Sequence, residues 1–231
     1  MSIYKVGAMG LDGVEAVESG RLEVMLFHVE VGMHSTNCYA VVSEGRALVI
    51  DPANMGAAIA KELDVPVELV VATHGHVDHV GGVLGLVEAT GAKFAISAAD
   101  SDAAMHAKRE LSIGANYDDD APKPDILLEA GDVVGVGVAR FRVLSTPGHT
   151  PGGILLVGEG DAEGICFTGD TIFAGSVGRT DLRGGDMPAM LDSLRRAADE
   201  IPPTTHLLPG HGDDTTMSWE LGHNPYLRWA G

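Results

Sequence analysis

Basic residues are scarce in this 231-residue chain: 15 lysines and arginines stand against 33 aspartates and glutamates, a formal net charge of −18. Such a surface repels phosphates, so no nucleic-acid partner is expected. The balance says little about small substrates, because a bound cation can reverse the field inside a cleft. Cysteine is rarer still. Cys38 and Cys166 are the only two; they lack CxxC spacing and sit in apolar, strand-like runs, which reads as buried free thiols rather than a disulfide framework. No run approaches the ~20 apolar residues of a membrane span, so no membrane partner is expected. The opening MSIYKVGAMG has neither the basic segment nor the apolar stretch of a secretion signal, so a soluble cytoplasmic protein is the expectation. Aromatics make up 5% of the chain, which leaves Ala, Val, Leu and Ile to fill the core. The 45% hydrophobic fraction and 31 glycines fit a globular chain with many tight turns.

Strand-like runs recur from end to end: LEVMLFHVEV (22–31), NCYAVV (37–42), RALVI (46–50), VELVVAT (67–73), KFAIS (93–97), GDVVGVGVARFRVLST (131–146), GGILLVG (152–158), GICFTGD (164–170) and THLLPG (205–210). Helical spacing predicts helices over 55–63, 80–90 and 187–201, the last with Asp186 as N-cap and Pro188 in its first turn. Strands interleaved with helices predict an α/β layered fold in which helices cover sheets. The stretch from Asp100 to Pro124 is polar and is expected to be an exposed excursion. No linker divides the chain, so residues 1–231 are expected to form one domain.

The chemistry concentrates in THGHVDH, residues 73–79. His74 and His76, at i and i+2, share one side of an extended segment. Asp78 and His79 follow one turn on, beside Gly81 and Gly82. One short loop can therefore present donors in two directions, as a pair of neighbouring metal ions requires. Three further strand-like runs each end in a polar residue beside glycine: His149 in STPGHTPGG, Asp170 in GICFTGD and His211 in LLPGHG. Loops leaving a rigid sheet converge in this way at functional sites. Five imidazoles and two carboxylates suit zinc, and also iron or manganese.

THGHVDH, then TPGHT, TGD and PGHG in that order, resembles the metallo-β-lactamase superfamily over nearly the whole chain. The resemblance implies a four-layer αββα sandwich, with two mixed sheets inside and helices outside. It implies two divalent metal ions, zinc first among them: His74, His76 and His149 for one, Asp78, His79 and His211 for the other, and Asp170 between. Asp78 and Asp170 are thereby the carboxylates on which catalysis would depend. Asp51, in VIDPA, is a candidate to orient a ligand imidazole or simply a strand-ending turn residue.

Many β-lactamases of this fold carry cysteine where this chain has Asp170, which argues against antibiotic hydrolysis. TGDTIFAGSVGRTDLRGGD (168–186) and PGHGDDTTMSWELGHNPYL (209–227) are similar to glyoxalase II and its single-domain relatives, the hydroxyacylglutathione hydrolases. The implied reaction is attack of a metal-bound hydroxide on a small-molecule thioester or a related thiol-derived substrate. The GRTD element is also similar to persulfide dioxygenases, which hold one iron through the equivalents of His74, His149 and Asp170. A lactonase with the same two metals is a third possibility. The PGHG form favours the hydrolase. The C-terminal helical domain that helps glyoxalase II bind glutathione is not expected here. Arg179 keeps that family's positive charge, but Asp181 stands where its tyrosine would be. Arg179 can therefore pair with a substrate carboxylate, or with Asp181 or Asp186.

Overall fold

The computed structural model describes residues 2–31, 34–110 and 117–230. Two principal sheets form, each from its own half of the chain. The first takes β1 (Ser2–Ala8), β2 (Leu22–Val31), β3 (His34–Ser43), β4 (Arg46–Ile50), β5 (Val67–Ala72), β6 (Lys93–Ser97) and β7 (Ile126–Leu128) in chain order. It is antiparallel from β1 to β4 and parallel from β4 to β7. The second takes β8 (Val133–Val136), β9 (Ala139–Ser145), β10 (Ile154–Glu159), β11 (Ile165–Gly169), β14 (His206–Pro209) and β15 (Thr215–Thr216), in the spatial order β15-β14-β11-β10-β9-β8. Only β11 and β14 pair in parallel there. A small hairpin, β12 (Ile172–Phe173) with β13 (Ser176–Val177), stands apart from both. The helices are α1 (Glu15–Glu18), α2 (Gly56–Leu63), α3 (Val77–Val80), α4 (Val83–Thr90), α5 (Ser101–Ala104), α6 (Met187–Glu200), α7 (Met217–His223) and α8 (Pro225–Ala230).

Alternating side chains divide the apolar residues into three layers. Val24, Tyr39, Val41, Leu48, Ile50 and Val71 of the first sheet meet Phe141, Val143, Leu156, Phe167 and Leu208 of the second in a central core. The opposite face of the first sheet carries Phe27, Cys38, Val49, Val70 and Phe94 against Ile59 of α2 and Val83 and Leu86 of α4. The opposite face of the second carries Leu155, Cys166 and Leu207 against Met190 and Leu194 of α6 and Leu227 of α8. Both faces of each sheet are thus covered, which is why runs such as VELVVA read as continuously apolar. The result is the helix–sheet–sheet–helix sandwich. Both cysteines are buried and free.

Several elements differ from the reading of the sequence. The helix over 80–90 is two helices broken at Gly81 and Gly82, so Asp78 and His79 lie inside α3 rather than ahead of a helix. Methyl groups built at these glycines would lie 2.7 Å from the Ala53 carbonyl oxygen and 2.6 Å from that of Pro52; close backbone packing breaks the helix. The run 131–146 is a hairpin, β8 and β9, turning at Gly137 with φ 55°. The segment 100–124 is not simply exposed: Ala104, Ala107, Tyr117 and Ala121 are buried in the outer core of the first sheet. Residues 111–116 of that segment lie outside the described residues. β1, β7, β12, β13, β15, α1, α5, α7 and α8 are additional elements.

Candidate metal centre

β9, β11 and β14 run in the same direction, and so do β4, β5 and β6. Their C-terminal ends deliver the polar residues of the site. Asp51 follows β4, residues 73–79 follow β5, and Asp100 follows β6. His149 follows β9, Asp170 follows β11 and His211 follows β14. Ligands of open α/β sheets lie beyond the carboxyl ends of strands for this reason. A hydrogen bond from the Ile154 N–H to the Thr73 carbonyl, 3.0 Å, ties the two halves beside the site.

All seven predicted side chains come together. Donor atoms of His74, His76 and His149 lie within 4.8 Å of one another, as do those of His74, His79 and Asp170, and those of Asp78, His79 and His211. Asp170 is central: its carboxylate oxygens lie 3.3 Å from His79 Nε2, 3.4 Å from His149 Nε2 and 3.6 Å from His211 Nε2. Asp78 Oδ2 lies 3.4 Å from His211 Nε2. Glycine makes this approach possible, since a methyl group built at Gly210 would lie 2.5 Å from Asp170 Oδ1 and 2.6 Å from His79 Cε1.

Each outward ring nitrogen of four imidazoles meets an oxygen. His79 Nδ1 donates to Asp51 Oδ2 at 2.9 Å, His149 Nδ1 to the Arg179 carbonyl at 2.7 Å, and His211 Nδ1 to the Ser35 carbonyl at 2.7 Å. Thr73 Oγ1 gives its proton to Asp51 Oδ2 at 2.7 Å and so accepts from His74 Nδ1 at 3.1 Å. These bonds fix the rings and turn Nε2 of each towards the centre. His76 is turned the other way, its Nδ1 2.9 Å from His149 Nε2. His74 Nε2 is buried with no hydrogen-bond partner, and buried Asp170 Oδ1 has only its charge contact with His79 Nε2. Buried lone pairs without donors are costly, and a cation satisfies them. The donor set therefore fits metal ions.

The electrostatics agree. Burial, reinforced by neighbouring imidazoles, pushes the pKa of His74 well down, and burial beside His149 lowers that of His76, so both stay neutral and able to coordinate. Burial alone would also lower His79 and His211. Asp170 and Asp51 outweigh it for His79, and Asp78 and Asp170 for His211, raising both. Burial would raise Asp78 and Asp170; the imidazoles, His211 first for Asp78 and His79 first for Asp170, hold both below the usual carboxylate range. The pocket favours positive charge, as a proton or as a metal.

A cleft of about 980 Å³ opens over these groups. Val77, Phe173, Val177 and Leu182 supply apolar walls, and His34, Arg179 and Arg183 stand at its edge. The guanidinium of Arg179 pairs with Asp181 through two bonds of 2.7 and 2.8 Å, while Asp186 caps α6 by accepting from the Ala189 N–H. His34, which the sequence leaves outside the site, lines the cleft and bonds Tyr117 Oη through Nδ1 at 2.8 Å.

The metallo-beta-lactamase superfamily model matches residues 31–211. The chain belongs to that superfamily. A protein of Aquifex aeolicus is 38% identical over 204 residues, covering 86% of this chain and 94% of the relative. Hydroxyacylglutathione hydrolase GloC of Haemophilus influenzae is 30% identical over 213 residues, covering 86% of this chain and 96% of its own. Among solved structures, BLEG-1 B3 metallo-beta-lactamase superimposes with a TM-score of 0.78 at 28% identity, over 88% of this chain and 99% of that one. TTHA1623 in a di-iron-bound form gives 0.72 at 34%, over 87% and 99%. ETHE1 from Myxococcus xanthus gives 0.63 at 29%, over 82% and 78%.

As a member of the metallo-beta-lactamase superfamily, the chain also shows supports that its sequence hides. Asp100 is buried and accepts from Gly75 N–H at 3.0 Å and Gly152 N–H at 2.7 Å, joining the loops that carry His76 and His149. Asn37 donates to the carbonyls of Pro209 and Gly212, at 3.0 and 2.8 Å, and Tyr39 Oη to that of Pro209 at 2.8 Å, clamping the loop of His211. Among the described residues no helix is long and apolar enough to cross a membrane.

Proposed function

We propose that the protein is a dinuclear hydrolase of thioesters such as a hydroxyacyl-glutathione. The convergence of two donor sets on one shared carboxylate, Asp170, carries this reading. His74, His76 and His149 would hold one ion and Asp78, His79 and His211 the other. Two divalent ions, when bound, supply Lewis acidity that lowers the pKa of water towards neutrality and polarises a carbonyl. The residues of the chain do the rest. Asp51, Thr73 and the carbonyls of Arg179 and Ser35 keep the rings oriented, so no reorganisation is needed during turnover. Phe173, Val177 and Leu182 offer the acyl group an apolar wall. Arg179 stands at the edge as a fork for a substrate carboxylate, in exchange for Asp181, since solvent screens an exposed ion pair and leaves it weak. The relative named hydroxyacylglutathione hydrolase GloC supports the substrate class.

The test is metal content per chain after expression with zinc and iron both present, followed by thioester turnover. About two metals per chain with thioesterase activity is expected. Asp170→Ala is expected to lose metal and turnover together while keeping its circular dichroism; full activity in that variant would overturn the shared-ligand assignment. A second reading, a persulfide dioxygenase with one iron on His74, His149 and Asp170, draws on the contact of His149 with Asp170 at 3.4 Å and the likeness to ETHE1. One iron per chain, with oxygen uptake on glutathione persulfide, would favour it. Turnover of a β-lactam in preference to thioesters would overturn both.

A further inference from the structure

The hairpin of β12 and β13 forms one wall of the cleft, yet its own ladder is two residue pairs, Ile172 with Val177 and Phe173 with Ser176. A ladder that short is not stable by itself in water. Its position has to come from what lies behind it. Ile172 and Val177 enter the outer core beside Met217 and Leu227. The tip is held differently. Gly175, at φ 71°, shares its N–H between the two carboxyl oxygens of Glu220, at 3.2 and 3.1 Å. Thr215 Oγ1 donates to Glu220 Oε1 at 2.8 Å, and Asn224 Nδ2 to Glu220 Oε2 at 2.8 Å. Asn224 Nδ2 also donates to the Ser176 carbonyl at 2.9 Å. Glu220 and Asn224 are both completely buried.

Burying a carboxyl group is costly unless it is well bonded, and an apolar residue would fill the same space without that cost. What the carboxyl group does is gather three neutral donors, from the hairpin, from β15 and from the turn into α8. In front of it the hairpin carries Phe173, whose ring lies 6.0 Å from that of His211, together with Ser176 and Val177 on the cleft wall. Behind the hairpin follow Gly178, where any side chain would strike the Asp170 carbonyl, and Arg179, whose carbonyl holds His149.

We propose that Glu220, together with Asn224, is a positioning residue: a strut from the C-terminal helices that fixes the β12–β13 wall and so sets which acyl groups the cleft accepts. The acyl-group arm rests on the thioesterase reading; the wall arm does not. The test is amide hydrogen exchange, read by mass spectrometry on metal-loaded protein, in Glu220→Ala, Glu220→Gln and Asn224→Ala. In Glu220→Ala, exchange over 172–178 is expected to rise tenfold or more, with peptides of β9 and metal per chain unaltered. Glu220→Gln keeps an acceptor for Gly175 and is expected to recover part of the protection. KM for a thioester with a bulky acyl group should change several-fold relative to a small one, with kcat changing less. Unaltered exchange over 172–178 in Glu220→Ala overturns the strut. Loosened exchange with an unmoved ratio of KM values overturns its role in selectivity. If no thioester is turned over, the functional reading falls alone and exchange still decides the strut. Should Glu220→Ala fail to fold, Thr215→Val removes one bond to the carboxyl group, Asn224→Ala removes those to Glu220, Ser176 and Tyr226, and both are read in the same way.

Discussion

At the scale of the residue, Asp51 does the most with the least. Its backbone sits at φ 51°, a conformation that few non-glycine residues adopt, and its carboxylate takes the Thr73 N–H, the Thr73 hydroxyl and His79 Nδ1. Asp51→Ala is expected to weaken metal binding about 10–100-fold, as losses of such outer partners do; titration with a competing chelator checks it, and wild-type affinity would refute the role. Gly210→Ala should lower metal occupancy more sharply, because its methyl group intrudes between Asp170 and His79; elemental analysis of the purified variant reads this directly. At the cleft edge, the bond from Arg179 draws the pKa of Asp181 down to about 2. The contribution of the pair is complete above about 4, the ordinary carboxylate value, and is lost as pH falls through about 2. A carbon NMR titration should find that midpoint for Asp181 and see it return to about 4 in Arg179→Gln. The seven clustered donors are legible in the sequence because histidine and glycine mark them at strand ends. Asp51, Asp100 and Asn37 are far less so. An aspartate after a strand looks like any turn residue, and the partners of Asp100 are Gly75 and Gly152, distant in the chain.

At the scale of the element, legibility follows length and periodicity. α6 is long and amphipathic, and its cap is where the sequence puts it: Asp186 accepts from the Ala189 N–H at 2.9 Å. Asp186→Ala should cost about 1 kcal/mol, read as a lower urea midpoint with an unaltered m-value; an unmoved midpoint would mean the cap is redundant. The same residue ties α6 to the site, since its own N–H donates to the Gly148 carbonyl beside His149. The strands are legible by their apolar runs, but which sheet they join is not, because two covered faces erase the alternation that would distinguish in from out. α3 and α4 escape a periodic reading because backbone contacts of Gly81 and Gly82 with residues 52–54 decide where they part. α7 escapes it as a seven-residue helix whose buried positions include a glutamate.

At the scale of the molecule, any metal held by these donors couples to the fold. A ligand that binds only the native state stabilises by about 2.7 kcal/mol per site at a hundredfold excess over Kd. Chelation is therefore expected to lower the melting temperature of the protein, and restoring zinc to raise it; identical melting curves with and without chelator would show that the site is not loaded. Both thiols are buried, and burial pushes the pKa of each up, so a thiol reagent at neutral pH should label neither cysteine in the native protein and both after denaturation.

The division of labour between the two sheets has one more outcome. Residues up to 128 build the first and residues from 133 build the second. Every one of the three donor groups draws on both: His149, Asp170 and His211 each complete a set begun by the 74–79 loop. Neither half alone offers any of these groups. The centre is thus assembled by coincidence: the 74–79 loop brings two donors to each group, and the third arrives only when both halves have met.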